Sequence, residues 1–541
     1  MGYYRNLEKM RLSLDTGMAF FIKNEFDIFI VHILIWRHIM KKFITFIFAT
    51  SLFLLGFQPL SIHAESSQSL ADEIIYDILV DRFNNGNQAP SDQVDIDDPL
   101  TYNGGDIKGV TMQLDYLQQQ GFTTISLSPI MENAKRGYHG YWIEDFYSIE
   151  EEFGTMADLE ELIEEAHKRE MKVILELVTN YVAKTSPLTE DQDKKDWFKE
   201  PSVEPIDATK WLDEVFVLDQ EKSEVQDFLF DVAFFWMEET NIDGFKLHAA
   251  DQASPEFMEK LTSEIKDVNP NFYLIATSLQ ENADMEYLYQ NENLDAVANN
   301  SSYQALNETL IKPDEAVSNL FEVRGTEASS RDLLFVDTKN TARFSNNFAE
   351  NGRNAITTWK LALSYLYFTP GVPIIYQGSE VPMYGPGFPE NQYIVDFTSS
   401  NPDLEEVFEQ MAAVREQFPA LVHGDFDQVA VNEGMSLFKR SLDNETVYVA
   451  INNDSHSQTV TISGIDEDMQ LRGLFHDDTI RANEDGEYLI GMERESAEVF
   501  TVEPNVGFNW SFIAFVVGVF VIFIVAVIIL SRKQKQRESM N

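Results

Sequence analysis

The chemistry open to this chain is set by its reactive side chains. Its 541 residues include 90 Asp and Glu and 9 His, but no Cys. Carboxylates and imidazoles can act as acids, bases and nucleophiles. Thiolate catalysis, disulfides, cysteine-ligated zinc and iron–sulfur clusters are excluded. The run Gly137–Tyr147, GYHGYWIEDFY, crowds aromatic side chains together. Aromatic rings gathered in this way either pack a core or line a binding surface. Lys and Arg number 40, so the net charge is −50, which excludes nucleic acid as a main partner. An exported chain without cysteine needs another source of rigidity, and bound calcium with oxygen ligands is one candidate.

These side chains need a scaffold, and with 44% hydrophobic residues the chain can build large cores. Short apolar runs alternate with amphipathic stretches. Strands are expected at 74–79, 123–127, 173–178, 244–247, 273–276, 296–298, 333–336 and 372–375. Helices are expected between them, at 112–120, 156–169, 225–239 and 255–265. Eight strands alternating with helices predict a closed (β/α)8 TIM barrel over 65–424, with a doubly wound open sheet as the alternative. Residues 181–216 are irregular and polar and read as a short inserted subdomain. From about residue 425 to 502 the period changes to that of an antiparallel β-sandwich, with strands at 436–440, 446–451 and 458–462. Residues 503–507, with Pro504, read as a linker.

Both ends address a membrane. Met40-Lys41-Lys42, the apolar run Phe43–Leu55 and Ile62-His63-Ala64 form a secretory signal peptide over 40–64. Residues 1–39 are read as an extension from a start codon placed too early; a real N-terminal segment is the alternative. Trp510–Leu530 is uncharged, apolar and long enough to cross a bilayer as a helix. The basic stretch in 531–541 belongs on the cytoplasmic side by the positive-inside rule, leaving 65–505 outside the cell membrane as a single-pass ectodomain.

Five segments carry a family resemblance. IIYDILVDRFNNGN (74–87), NGGDIKGV (103–110), GYHGYWIEDFY (137–147), the following EEFGTMADLEELIEEAHKREMKVILELVTN, and GVPIIYQGSE (371–380) resemble the α-amylase superfamily of glycoside hydrolases (family 13). The resemblance implies a barrel, a subdomain after strand three and a C-terminal sandwich. It also implies retaining hydrolysis of α-glucans, which needs two carboxyl groups about 5–5.5 Å apart. In the family these two, and a third carboxylate that grips the sugar, follow strands four, five and seven. Here those positions hold His248, Thr277 and Asn340. Lys246 replaces the arginine beside the nucleophile, and Tyr181 and Lys339 replace two sugar-holding histidines. The strand-three motif Asp-x-Val-x-Asn-His reads Glu176-Leu177-Val178-Thr179-Asn180-Tyr181. Imidazole can attack carbon, but threonine donates no proton near neutral pH, and acid catalysis alone is worth about 10²–10⁴ in rate.

The same resemblance assigns Tyr141 as the sugar platform, with His139 and Trp142 beside it and Lys246 and Lys339 at the sugar. It places calcium ligands at Asn180, and at Asn85, Asn87 and Asp106. Asp251, Glu281 and Glu380 fall near the expected mouth as candidate relocated carboxylates. The expectation is a catalytically inactive surface protein that binds an α-glucan or maltooligosaccharide, or partners a membrane protein as the heavy chains of some amino-acid transporters do. An active hydrolase or transglycosylase with relocated carboxylates, and an envelope assembly factor that binds no sugar, are the alternatives.

Overall fold

The structure is a computed structural model that describes residues 69–86, 93–324, 329–505 and 510–538. The extension at 1–39, the signal peptide at 40–64 and Asn87 lie outside the described residues. Eight parallel strands close a barrel: β1 (Ile75–Ile78), β2 (Thr124–Leu127), β3 (Lys172–Leu177), β4 (Gly244–Leu247), β5 (Tyr273–Ala276), β6 (Ala296–Ala298), β7 (Asp332–Leu334) and β8 (Val372–Tyr376). Strand β1 pairs with both β2 and β8, so no edge remains and the open-sheet alternative is set aside. The strands are buried almost throughout, because helices such as Met156–Lys168 and Ser223–Thr240 cover their outer faces.

Two stretches depart from the expected boundaries. The helix expected at 112–120 runs from Ile107 to Gln119. Its start is set by Asp106, whose carboxylate accepts from Gly109 N at 2.6 Å and caps the first turn. Gly109 lies inside that turn because a Cβ there would sit 1.8 Å from the Asn84 carbonyl oxygen. Of the residues expected as a linker, Glu503 and Pro504 belong to the last strand, Ser496–Pro504, in which Glu503 pairs with Gln470, and 506–507 lie outside the described residues.

The inserted subdomain is a small sheet of Tyr181–Ala183, Phe198–Lys199 and Val215–Leu218, with a 3-10 turn at Asp207–Glu214. The C-terminal domain stacks a six-stranded antiparallel sheet on a two-stranded one, with Leu437, Tyr488, Ile490 and Phe500 in the core between them. Beyond it, Trp510–Glu538 is one helix, and its stretch Ile513–Arg532 buries nothing against the rest of the protein.

Candidate functional site

Strand alternation sends Asp77 of β1, Glu176 of β3 and Lys246 of β4 toward the barrel interior, and Glu176 stands beside Lys246 in the register. Charges buried this deeply persist only when paired. Glu176 is 1% exposed and holds four side chains. Its Oε1 accepts from Tyr141 Oη at 2.9 Å and from His248 Nδ1 at 2.8 Å. Its Oε2 meets Lys339 Nζ at 2.5 Å and Lys246 Nζ at 3.1 Å. Lys246 also contacts the carboxylate of Asp77. Burial pushes the Glu176 carboxyl upward, but Lys246, Lys339 and His248 outweigh it and hold it well below the usual range. Burial lowers Lys246, yet Asp77 and Glu176 prevail and raise it. Burial lowers His248 despite Glu176, so its imidazole is neutral. An ionised Glu176 only accepts, which puts the imidazole proton on Nδ1. Nε2 is then a bare lone pair, fully buried and without a partner.

The three family catalytic positions gather at the strand ends. His248 follows β4, with its N–H on Leu177 O at 3.0 Å. Thr277 follows β5 and donates its hydroxyl to Leu247 O at 3.0 Å. Asn340 follows β7 and lines the mouth. The expected sugar platform is not open. Tyr141 is 2% exposed, with its ring 4.3 Å from the His248 ring and 4.5 Å from Trp211 of the inserted subdomain. The His248 ring is stacked on the Tyr141 ring, at 30° between their planes. Lys339 lies over the same ring at 5.2 Å, so both lysines are engaged by protein groups.

Residues 203–214 of the inserted subdomain cross the mouth and leave a cavity on each side, both touching Asn340. One, of 420 Å³, lies against Thr277, Glu281, Tyr303, Phe335, Asp337 and Ile374. The other, of 340 Å³, is walled by Tyr138, His139, Trp142, Trp211, Phe388 and Gln392. Trp142 is half-buried there, its indole N–H on Trp211 O at 2.8 Å. His139 Nδ1 accepts from Tyr141 N at 3.0 Å, and burial pushes its pKa down to about 3.

Of the candidate relocated carboxylates, Glu281 lines the larger cavity. Asp251 is engaged by Leu279 N at 2.7 Å and by Gln252. Glu380 is fully buried against Tyr76 Oη at 2.8 Å, beside Tyr116 and Glu405 of the helix layer, and takes no part in the mouth. Trp211 and Asp77 were not foreseen. Asp77 had a signal, a lone acid in the apolar strand IIYDILV that calls for a cation such as Lys246 in GFKL.

Two of the expected calcium ligands, Asn180 and Asp106, are already engaged by hydrogen-bond donors of the protein. Asn180 Oδ1 accepts from Gln220 Nε2 at 2.7 Å, and its Nδ2 donates to His248 O and Ala249 O. Asp106 accepts from the N–H groups of Gly86 and Gly109. Of Asn85, Asp106 and Asn180, only Asp106 brings a charge, and it already serves as the helix cap.

Residues 77–271 match the α-amylase catalytic domain family and residues 424–500 the α-amylase C-terminal domain family. The crystal structure of an Anoxybacillus α-amylase is 37% identical, with a TM-score of 0.75 over 82% of this chain and 100% of that one. An α-amylase from Geobacillus thermoleovorans, complexed with acarbose, is 37% identical, with a TM-score of 0.74 over 81% of this chain and 100% of that one. The β/α-amylase of Paenibacillus polymyxa is 26% identical over 82% of this chain, which spans 38% of that protein's length. With its barrel, its inserted subdomain and its sandwich in this order, the chain belongs to the α-amylase family of glycoside hydrolases.

Proposed function

We propose that this protein is a non-hydrolytic, membrane-tethered member of its family that binds α-glucans. The observation that carries this reading is the mutually paired cluster of Asp77, Glu176, Lys246, His248 and Lys339 at the positions that the family uses for the reaction, with Asp77 and Lys246 lining one mouth cavity and Lys339 the other. Retaining hydrolysis needs a carboxylate free to form a glycosyl ester and an acid to protonate the leaving oxygen. Here Glu176 is held ionised by its cations, the His248 lone pair is sealed from any substrate, and Thr277 is no acid. Binding is supported by the aromatic cavity of Tyr138, Trp142 and Trp211, a lining suited to sugar faces, and by the acarbose complex of the relative. The tether is supported by the long apolar helix after the sandwich and the basic residues that follow it.

The test is hydrolysis and calorimetry on one preparation of the full-length protein with maltoheptaose. We expect no turnover, and saturable binding that weakens about tenfold or more in Trp142→Ala. Absence of binding heat at any concentration sinks the glucan reading in favour of an assembly factor. A second reading, a hydrolase with relocated acids, draws on Asp337 and Glu281 lining one cavity. Burial pushes the Asp337 carboxyl upward, as suits an acid. Turnover abolished by Glu281→Gln would establish it.

A further inference from the structure

The inserted subdomain leaves the barrel after β3 and returns before the helix Ser223–Thr240, and Gln220 sits at the return point, 6% exposed. The orientation of its amide is fixed by backbone groups, which cannot exchange roles. Ser254 N–H donates at 2.9 Å to one end, which must be Oε1. The other end, Nε2, then donates to Thr179 O at 3.0 Å and to Asn180 Oδ1 at 2.7 Å. Asn180 is fixed in turn, because its Nδ2 faces two carbonyls, His248 O at 3.2 Å and Ala249 O at 2.8 Å. Ala249 has φ +50°, a left-handed conformation that L-residues adopt only at a cost, so this turn needs outside support. Two amides thus join the departing strand, the returning strand, the strained turn after His248 and the start of the helix Pro255–Val268.

Calcium takes about six to eight oxygen ligands, carboxylates among them. The oxygens that converge here, Thr179 O, Asn180 Oδ1, His248 O and Ala249 O, are each met by an N–H. The carboxylates that adjoin these segments in sequence are engaged elsewhere, Asp219 by Lys199 at 2.7 Å and Asp251 by Leu279 N. We propose that Gln220 takes the place of a cation at this junction, its amide hydrogens binding the oxygens that a metal would otherwise gather. The subdomain is then locked over the mouth by neutral hydrogen bonds, independently of calcium.

Hydrogen exchange of the full-length protein, followed in peptides covering 177–183, 215–223 and 247–254, tests this. Wild-type protection in these peptides should be the same in chelator as in excess calcium, within about twofold. A rise of about tenfold or more with calcium overturns the proposal. Gln220→Glu keeps the shape but removes both donors, and its protection in chelator should fall about tenfold or more, as in Gln220→Ala. Wild-type protection in Gln220→Glu overturns the proposal as well. Should the Ala variant fail to fold, the wild-type chelation arm and the Glu variant decide alone.

Discussion

Buried acids differ in what their surroundings ask of them, and two glutamates in this barrel show opposite cases. Glu176 is ionised because two lysines and a histidine face it. Glu380 has no cation in contact, and burial pushes its pKa up to about 7 despite the Tyr76 hydrogen bond. The folded state therefore binds a proton at Glu380 that the unfolded chain releases above about pH 4.5. Stability from this group is complete below that pH and is lost as pH rises through about 7, by at most about 3 kcal/mol. His139 acts in the other direction, lowering stability as pH falls from about 6.5 toward 3. The difference in melting temperature between wild type and Glu380→Gln isolates the first effect. Wild type should lose ground to the variant from pH 5 to pH 8, and parallel curves would exclude the shift. At this scale the sequence was informative where motifs fixed the register, so His248, Thr277 and Asn340 fell at the strand ends in the structure. It was silent where contacts are remote in sequence. Nothing local to Trp211 or Gln220 marks one as the cover of Tyr141 or the other as the joint of the subdomain.

Elements were readable in proportion to how far their own residues determine them. Strands β4, β5 and β6 have the expected bounds, because each is a short apolar run between polar or turn-forming neighbours. The helix Ile107–Gln119 begins five residues ahead of its expected start, since Gly109 and Thr111 are weak helix formers and only the Asp106 cap secures that turn. Asp106→Ala should cost about 1–2 kcal/mol in equilibrium unfolding, with the loss concentrated in exchange of the first helical turn. Asp106→Asn keeps a capping oxygen and should recover most of it. An unchanged midpoint in Asp106→Ala would show that the cap is idle.

For the molecule as a whole, the barrel core continues onto one face of the six-stranded sheet through Phe438, Val447, Val449 and Val499, the sandwich encloses a second core behind that sheet, and the terminal helix buries nothing against them. An exposed helix of this length and composition has no stable place in water. The full-length chain should pellet with membranes, resist a high-salt wash and leave only with detergent, whereas a chain ending at residue 505 should stay in the supernatant. Release by salt alone would mean attachment by charge. Salt has a second target in this molecule, because a net charge of −50 repels itself at low ionic strength. Inside that acidic body the Glu176 cluster is balanced, with Lys246 and Lys339 against Asp77 and Glu176 around a neutral imidazole. Restoring an aspartate at position 248 alone would set a third anion among two others with no spare cation, a destabilisation of about 3–5 kcal/mol for an uncompensated buried charge. The charge parity of the centre thus couples its residues: an acid introduced at position 248 should be tolerated only together with a change that supplies a cation or removes an anion.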